Sequence, residues 1–348
     1  MKALFIGGTG LISSACSEQA VERGIELFIL NRGRSGKYPV PKGAQLLVAD
    51  IHGDLVALTS LLQGLHFDAV VDWIAFTPAD IERDIQLLSG KTRQFVFISS
   101  ASAYQKPPGH YLITEDTPLV NPYWDYARDK IACEERLMRE YRDQGFPVTI
   151  VRPSLTYGLS QIPLCVGSWQ HPYTVMDRMK KGKKIIVPGD GTSLWTLTWN
   201  GDFAKGLLGL LGCEQAIGQA FHITSDEVLT WNQIYREAGH AIGIEPNLIH
   251  IPSDLIAAYQ SNALGSLIGD KANSAVFDNR KIRRFVPDFV ATVPWSEGVR
   301  RAIAWHEADP SRCTIDEEAD RVWDTIIAAY ERAFPPSELP SQGRIRWV

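Results

Sequence analysis

The feature that most constrains this chain lies at its start. Residues 3–6 form a short apolar run that passes straight into Gly7-Gly8-Thr9-Gly10-Leu11-Ile12-Ser13, and a helical segment follows. Glycines at a strand-to-helix junction let the backbone turn sharply and lie against a pyrophosphate, whose charge is met by free N–H groups at the helix start. A second apolar run at residues 27–30 supplies the context that separates a dinucleotide site from a plain turn. Gly7, Thr9, Gly10, Leu11 and Ile12 are therefore the expected phosphate-side contacts. Ser13 stands where the fingerprint's third glycine would be, small enough for close helix–strand packing.

Near-continuous apolar runs recur at residues 45–48, 69–73, 94–98 and 148–151, with helix-period segments at 12–23, 54–64, 79–89 and 125–145 between the strands. Runs of that kind suit strands buried on both faces of a parallel sheet, and their alternation with helices implies right-handed crossovers. The expected fold class is α/β: a Rossmann-type doubly wound parallel sheet with a smaller, mainly helical C-terminal substrate lobe.

After Arg152 the texture changes. Residues 158–175 read as an irregular loop over an active-site mouth, 176–184 as a short basic helix, 185–187 as a strand, 203–211 as an apolar helix and 220–224 as a strand returning to the sheet. From 227 to 333 the pattern is mainly helical, with extended pieces near 248–251 and 275–277. The expected division is 1–165 with 192–225 for the dinucleotide, and 166–191 with 226–348 for the substrate. The Pro- and Ser-rich tail at 334–348 is expected to be loosely held, with Trp347 as an anchor.

Composition narrows the function. Thirty-five Lys and Arg against 40 Asp and Glu, dispersed along 348 residues, advertise no nucleic-acid surface. Five widely spaced cysteines without a C-x-x-C pair, and eight histidines without ligand spacing, give no metal site. No apolar run approaches the roughly 20 residues that span a bilayer, and no signal-peptide pattern opens the chain. These features describe a soluble, cytoplasmic enzyme acting on a small molecule, with a homodimer left open.

The second strand normally chooses the cofactor: an acidic residue at its end bonds ribose hydroxyls, whereas an arginine accommodates a 2′-phosphate. Here Leu30-Asn31-Arg32-Gly33-Arg34 holds no carboxylate, which favours NADP over NAD, unless the arginines simply line a solvated loop. Asp50, followed by Ile51, is placed to accept from the adenine amino group. Further on, Tyr126-Ala127-Arg128-Asp129-Lys130 is a Y-x-x-x-K motif whose i and i+4 members share a helix face, so that an ammonium stands beside a phenol and lowers its pKa. It follows the strand end Ile98-Ser99-Ser100-Ala101-Ser102-Ala103-Tyr104.

On these residues, with Arg152-Pro153-Ser154-Leu155-Thr156-Tyr157-Gly158, Pro188-Gly189-Asp190-Gly191, and Asp278–Arg284 followed by Pro294–Gly298, the chain resembles the extended short-chain dehydrogenase/reductase superfamily, in particular its NAD-dependent epimerase/dehydratase group. The resemblance implies that Ser100 polarises the substrate oxygen, Tyr126 is the acid/base and Lys130 activates it while holding the nicotinamide ribose. It also implies that Asp72–Ala75, with Ile74 and Ala75 foremost, Ser99 and Pro153 flank the nicotinamide. Ser99 and Ser102 are rivals of Ser100.

Departures from the group are informative. Its sugar-nucleotide dehydratases carry an Asp-Glu pair after the catalytic hydroxyl, where this chain has Ala101 and Ser102. Many of its epimerases carry an arginine for the substrate pyrophosphate after Gly-Asp-Gly; here Ser193 to Trp199 has none. Aromatic residues stand instead on segments expected at the mouth: Trp124, Trp169, Tyr173, Trp195 and Trp199, with His171 and Asp72 as polar candidates. Each of these residues equally suits packing of the small lobe. The leading reading is an oxidoreductase or epimerase acting on a secondary alcohol or ketone of a carbohydrate-like substrate that is not a nucleotide sugar. A reductase of aromatic ketones or aldehydes is the second reading. A non-catalytic RNA-binding relative, as some chloroplast members of the superfamily are, is the third.

Overall fold

The computed structural model describes residues 1–34 and 36–333, so the tail at 334–348 and its expected anchor Trp347 lie outside the described residues. The apolar runs form β1 (Lys2–Ile6), β2 (Glu26–Asn31), β3 (Gln45–Val48), β4 (Ala69–Asp72), β5 (Phe95–Ile98), β7 (Val148–Pro153) and β12 (Ala220–Ile223), all parallel, in the order β12-β7-β5-β4-β1-β2-β3. Alternation along each strand feeds two cores. Phe5, Ile29 and Val71 pack with Cys16 and Ala20 of α1 (Ser13–Glu22) and with Phe203 and Leu207 of α6 (Asn200–Leu210). Leu4, Ile6, Leu30 and Val70 pack beneath α2 (Leu55–Leu61), α3 (Pro78–Leu88) and α4 (Asp125–Gln144), through Leu58, Ile81, Ile85, Cys133 and Leu137.

One strand departs from the expectation of burial on both faces. β3 has a single neighbour, β2, and its Leu46 and Val48 are exposed. An edge strand needs only a half-buried face, which its apolar sequence does not reveal.

A third core holds the lobe together around Tyr157, Trp195, Trp231, Trp295 and Ile327. Short strand pairs frame it: β6 (Leu112–Ile113) with β15 (Val276–Phe277), β8 (Leu155–Tyr157) with β11 (Leu197–Trp199), β9 (Ile185–Pro188) with β14 (Leu248–Ile251), and β10 (Leu194–Trp195) with β13 (Leu229–Thr230). Tyr157, Ile162, Leu164, Trp195 and Leu197 belong to this core, while Ile282 and Phe289 pack on the sheet, so packing cuts across the expected chain division at those residues. Between α8 (Ser253–Tyr259) and β15 the chain makes a π-helix over Leu264–Lys271, whose wide turns close with Ala272 N donating to the Leu267 carbonyl at 2.8 Å. Among the described residues no helix is long and apolar enough to cross a membrane, and no group of His, Cys, Asp or Glu is arranged to hold a metal ion.

Candidate active site

The sheet order reverses beside β1, whose partners β2 and β4 lead off in opposite directions. At such a point the loops leaving the strand ends part and open a crevice. A cleft of about 810 Å³ lies there, walled by the turn Gly7–Ser13, by Asn31, Arg32 and Arg34 after β2, by Asp50 and Ile51 after β3, and by Trp73 and Ile74 after β4. Gly7 and Gly8 have φ of +106° and +73°, a region that side chains avoid, and a Cβ on Gly8 would stand 3.0 Å from Ile29. No side chain caps the start of α1, where the Ser14 N–H already donates to the Gly10 carbonyl at 3.0 Å. Ser13 does more than fit: its Oγ accepts from the Gly10 N–H at 2.8 Å.

The ribose end is equally open to a cofactor. The Asn31 amide donates to the Thr9 hydroxyl at 3.2 Å and its oxygen accepts from Gly33 N at 2.7 Å, which orders the loop carrying exposed Arg32 and Arg34. Asp50 is exposed, one oxygen taken by His52 N at 3.0 Å. The size of the cleft and the glycine turn at the start of α1 fit a dinucleotide, and Arg32 and Arg34 line the same cleft.

At the nicotinamide end, Asp72 serves structure. Its carboxylate accepts from Ile74 N at 2.6 Å and Ala75 N at 2.7 Å, and it bonds Asp84 of α3. Burial pushes both carboxyls up, Asp84 further because Asp72 stands beside it, so the pair shares a proton. Ile74 faces the cleft; Ala75 lies behind it, its carbonyl accepting from Lys130 Nζ at 2.6 Å. Neither Asp72 nor Ala75 is among the residues lining this cleft or the second cavity described below.

Tyr126 and Lys130 sit on the first turns of α4 and both line the cleft, as does Pro153. Lys130 is buried and donates to the Ala75 and Ile98 carbonyls, the latter at 2.8 Å, while its Nζ stands 6.0 Å from the Tyr126 ring centre. Desolvation pulls its pKa down to about 8. Tyr126 departs from expectation in the opposite sense. Burial raises its pKa, and the Asp270 carboxylate adds to the rise, against a hydrogen bond with Ser100 that lowers it. The ammonium donates to backbone carbonyls, and among the described residues no hydrogen bond runs from it to the phenol oxygen.

The serines separate cleanly. Ser99 Oγ donates to Glu134 at 2.5 Å, inside a buried pair with Arg152 Nη2 at 2.6 Å, and is thereby occupied. Ser100 bonds Tyr126 and exchanges a hydrogen bond with Ser102 Oγ at 2.9 Å. Ser100, Ser102 and Tyr126 open onto a second cavity of about 380 Å³, with Trp124, Trp169 and Trp195 on its walls. Trp169, 64% exposed, borders both cavities. Trp195 is also core, stacked on Trp231 at 5.4 Å.

Three expected mouth residues are elsewhere. Trp199 packs edge-on against Tyr157 and under Arg301, His171 bonds Thr314 at 2.8 Å, and Tyr173 is buried against Glu307. None of the three lines either cavity. Sequence reading missed Lys106, Asp270 and Lys271, which line the second cavity. Their positions share no spacing, and no motif signals them.

The larger cleft and the smaller pocket meet at Tyr126, Pro153 and Trp169. The chain belongs to the NAD dependent epimerase/dehydratase family, whose profile matches residues 3–223. It is 25% identical over 289 residues to 2'-dehydrokanamycin reductase of Streptomyces kanamyceticus, covering 83% of this chain and 80% of that one. It is 27% identical over 262 residues to the chloroplast stem-loop binding protein of 41 kDa b of Arabidopsis thaliana, covering 72% of this chain and 65% of that one. In fold it matches UDP-glucuronic acid 4-epimerase of Bacillus cereus in complex with NAD, at TM-score 0.67 and 19% identity over 90% of this chain and 100% of that one.

Proposed function

We propose that this chain reduces a ketone, or oxidises the matching secondary alcohol, on a small carbohydrate-like molecule without a nucleotide diphosphate, using NADP(H) in preference to NAD(H). One observation carries the reading: Tyr126, bonded to Ser100, stands on the wall of both cavities. Reduction needs an acid at that junction, because the carbonyl oxygen gathers negative charge as hydride arrives. When bound in the cleft, nicotinamide supplies or accepts the hydride. Tyr126 delivers its proton to the substrate oxygen, and Ser100 donates a hydrogen bond to the same oxygen. Lys130, fixed by the Ala75 and Ile98 carbonyls, places its charge near the phenolate left behind. Exposed Arg32 and Arg34, for which no ion pair is seen among the described residues, support the NADP preference. A relative named as a reductase of 2'-dehydrokanamycin, not of a nucleotide sugar, supports the substrate class.

Calorimetric titration with NADPH and NADH, followed by thermal-shift screening of the loaded protein, tests this. Tighter binding of NADPH and stabilisation by free keto sugars are expected; a response to UDP-sugars alone overturns the substrate class. The stem-loop binding relative favours a second reading, RNA binding, which requires retention of a labelled RNA hairpin at physiological salt.

A further inference from the structure

The cavity beyond Tyr126 holds charges that the proposed reaction does not use. Lys106 lines it with a side chain only 1% exposed, and its nearest carboxylate oxygen, on Asp270, is 3.5 Å away. Among the described residues its ammonium donates no closer bond; its other neighbour is the Trp195 ring at 5.7 Å. A buried ammonium is costly unless its donors are met. Asp270 is drawn also to Lys271 at 3.3 Å, so two lysines face one carboxylate and a positive charge is left over. Trp195 adds a second unmet donor, an indole N–H buried without a partner among the described residues.

The arrangement is built. Asn121, itself buried, donates to the Ser102 carbonyl at 2.8 Å and the Gly269 carbonyl at 2.7 Å, tying the Ser100–Lys106 segment to the π-helix that carries Asp270 and Lys271. That helix meets Trp124 through Gly265, where a Cβ would stand 2.3 Å from the ring. An excess cation, fixed on the wall of the same small cavity as Ser100 and Tyr126, wants an oxyanion.

We propose that Lys106, with Lys271, forms an anion subsite, so that the substrate carries a carboxylate or phosphate on the same small molecule as its reacting carbon. The inference rests on the reading of Tyr126 and Ser100 as the reacting end of this cavity. Tryptophan fluorescence of the NADPH-loaded protein, titrated with D-glucuronate, glucose 6-phosphate and glucose, tests it. At least one anion should bind about tenfold or more tightly than glucose, the scale of one charge-assisted hydrogen bond, with added salt weakening only the anion. Glucuronate and glucose 6-phosphate separate carboxylate from phosphate. Lys106→Met should erase the preference, Lys106→Arg should keep most of it, and Asp270→Asn should strengthen it by removing the competing carboxylate. Equal or absent binding of both anions relative to glucose overturns the subsite, as does an anion affinity unchanged in both Lys106→Met and Asp270→Asn. NADPH affinity measured on the same samples keeps the two claims apart: its loss defeats the proposed reaction, whereas intact NADPH binding without anion preference defeats only the subsite.

Discussion

The phosphate and ribose side of the larger cleft is walled by the ends of β1, β2, β3 and β4 and by the start of α1, elements within the first 75 residues or so, and it presents backbone and glycines; Tyr126, Lys130, Pro153 and Trp169 close its other side. The pocket across Tyr126 gathers Ser100, Trp124, Trp169, Trp195 and Lys271 from five separate stretches of chain, and its chemistry rests on side chains. Backbone recognition depends on local conformation, which a short motif encodes. Side-chain recognition depends on how distant segments are folded together, and the lobe's core decides that. Added Cβ atoms at Gly7 and Gly8 should damage the first cavity, and trimming of lining side chains should damage the second.

The largest expected effect sharpens this division at Tyr126, one of the residues the two cavities share. Tyr126→Phe keeps the ring and removes the proton, so turnover should fall by about 10²–10⁴ while NADPH affinity measured by calorimetry stays near wild type. A matching loss of cofactor affinity would mean that the two cavities are not functionally distinct.

Next comes the wall that is also core. Trp195→Ala removes a buried ring stacked on Trp231 and should cost roughly 3–5 kcal/mol in denaturant unfolding. Trp169→Ala, at the exposed mouth, should leave stability within about 0.5 kcal/mol and alter only ligand response. Similar losses from both would break the distinction between core wall and mouth.

A smaller effect concerns the one place where the cleft is expected to use side-chain charge. Arg32→Ala should weaken NADPH by roughly tenfold to a hundredfold and leave NADH almost unchanged. Equal losses would place the 2′-phosphate elsewhere.

The smallest effect lies beneath the nicotinamide turn. Burial raises both Asp72 and Asp84, so the folded chain holds a proton that the unfolded chain releases in the ordinary carboxylate range. The stability tied to that proton is complete at acid pH and is lost as pH rises through the folded-state pKa. Asp84→Asn keeps a donor toward Asp72 without needing the proton. Its Tm should therefore fall less than wild type's between mildly acid and neutral pH, as read by calorimetric melts.

The same division explains what could be read from the chain. The glycine turn, six of the seven sheet strands as apolar runs, the returning strand at Ala220–Ile223, and the placing of Tyr126 four residues before Lys130 all rest on local period and local conformation. The aromatic residues after Gly191 did not yield to that reasoning. Trp195 and Trp199 both read as mouth residues, yet only Trp195 reaches the pocket, because β10 pairs with β13 while β11 pairs with β8. Nor did alternation show which face each pairing turns inward. Lys106, Asp270 and Lys271 meet only through Asn121 and the π-helix, a long-range contact without a sequence period. The Y-x-x-x-K spacing placed Lys130 correctly but not its hydrogen bonds, which go to the carbonyls that the strand ends present.

The central claim is that hydride crosses between a dinucleotide in the first cavity and a small ketone in the second, with Tyr126 as the proton donor. Deuterium-labelled NADPH offered with keto sugars, and the alcohol product weighed by mass spectrometry, tests it most directly. The account predicts a deuterium on the reduced carbon in step with NADPH consumed, and almost none with Tyr126→Phe. Interconversion of a UDP-sugar with no label entering the product would contradict it.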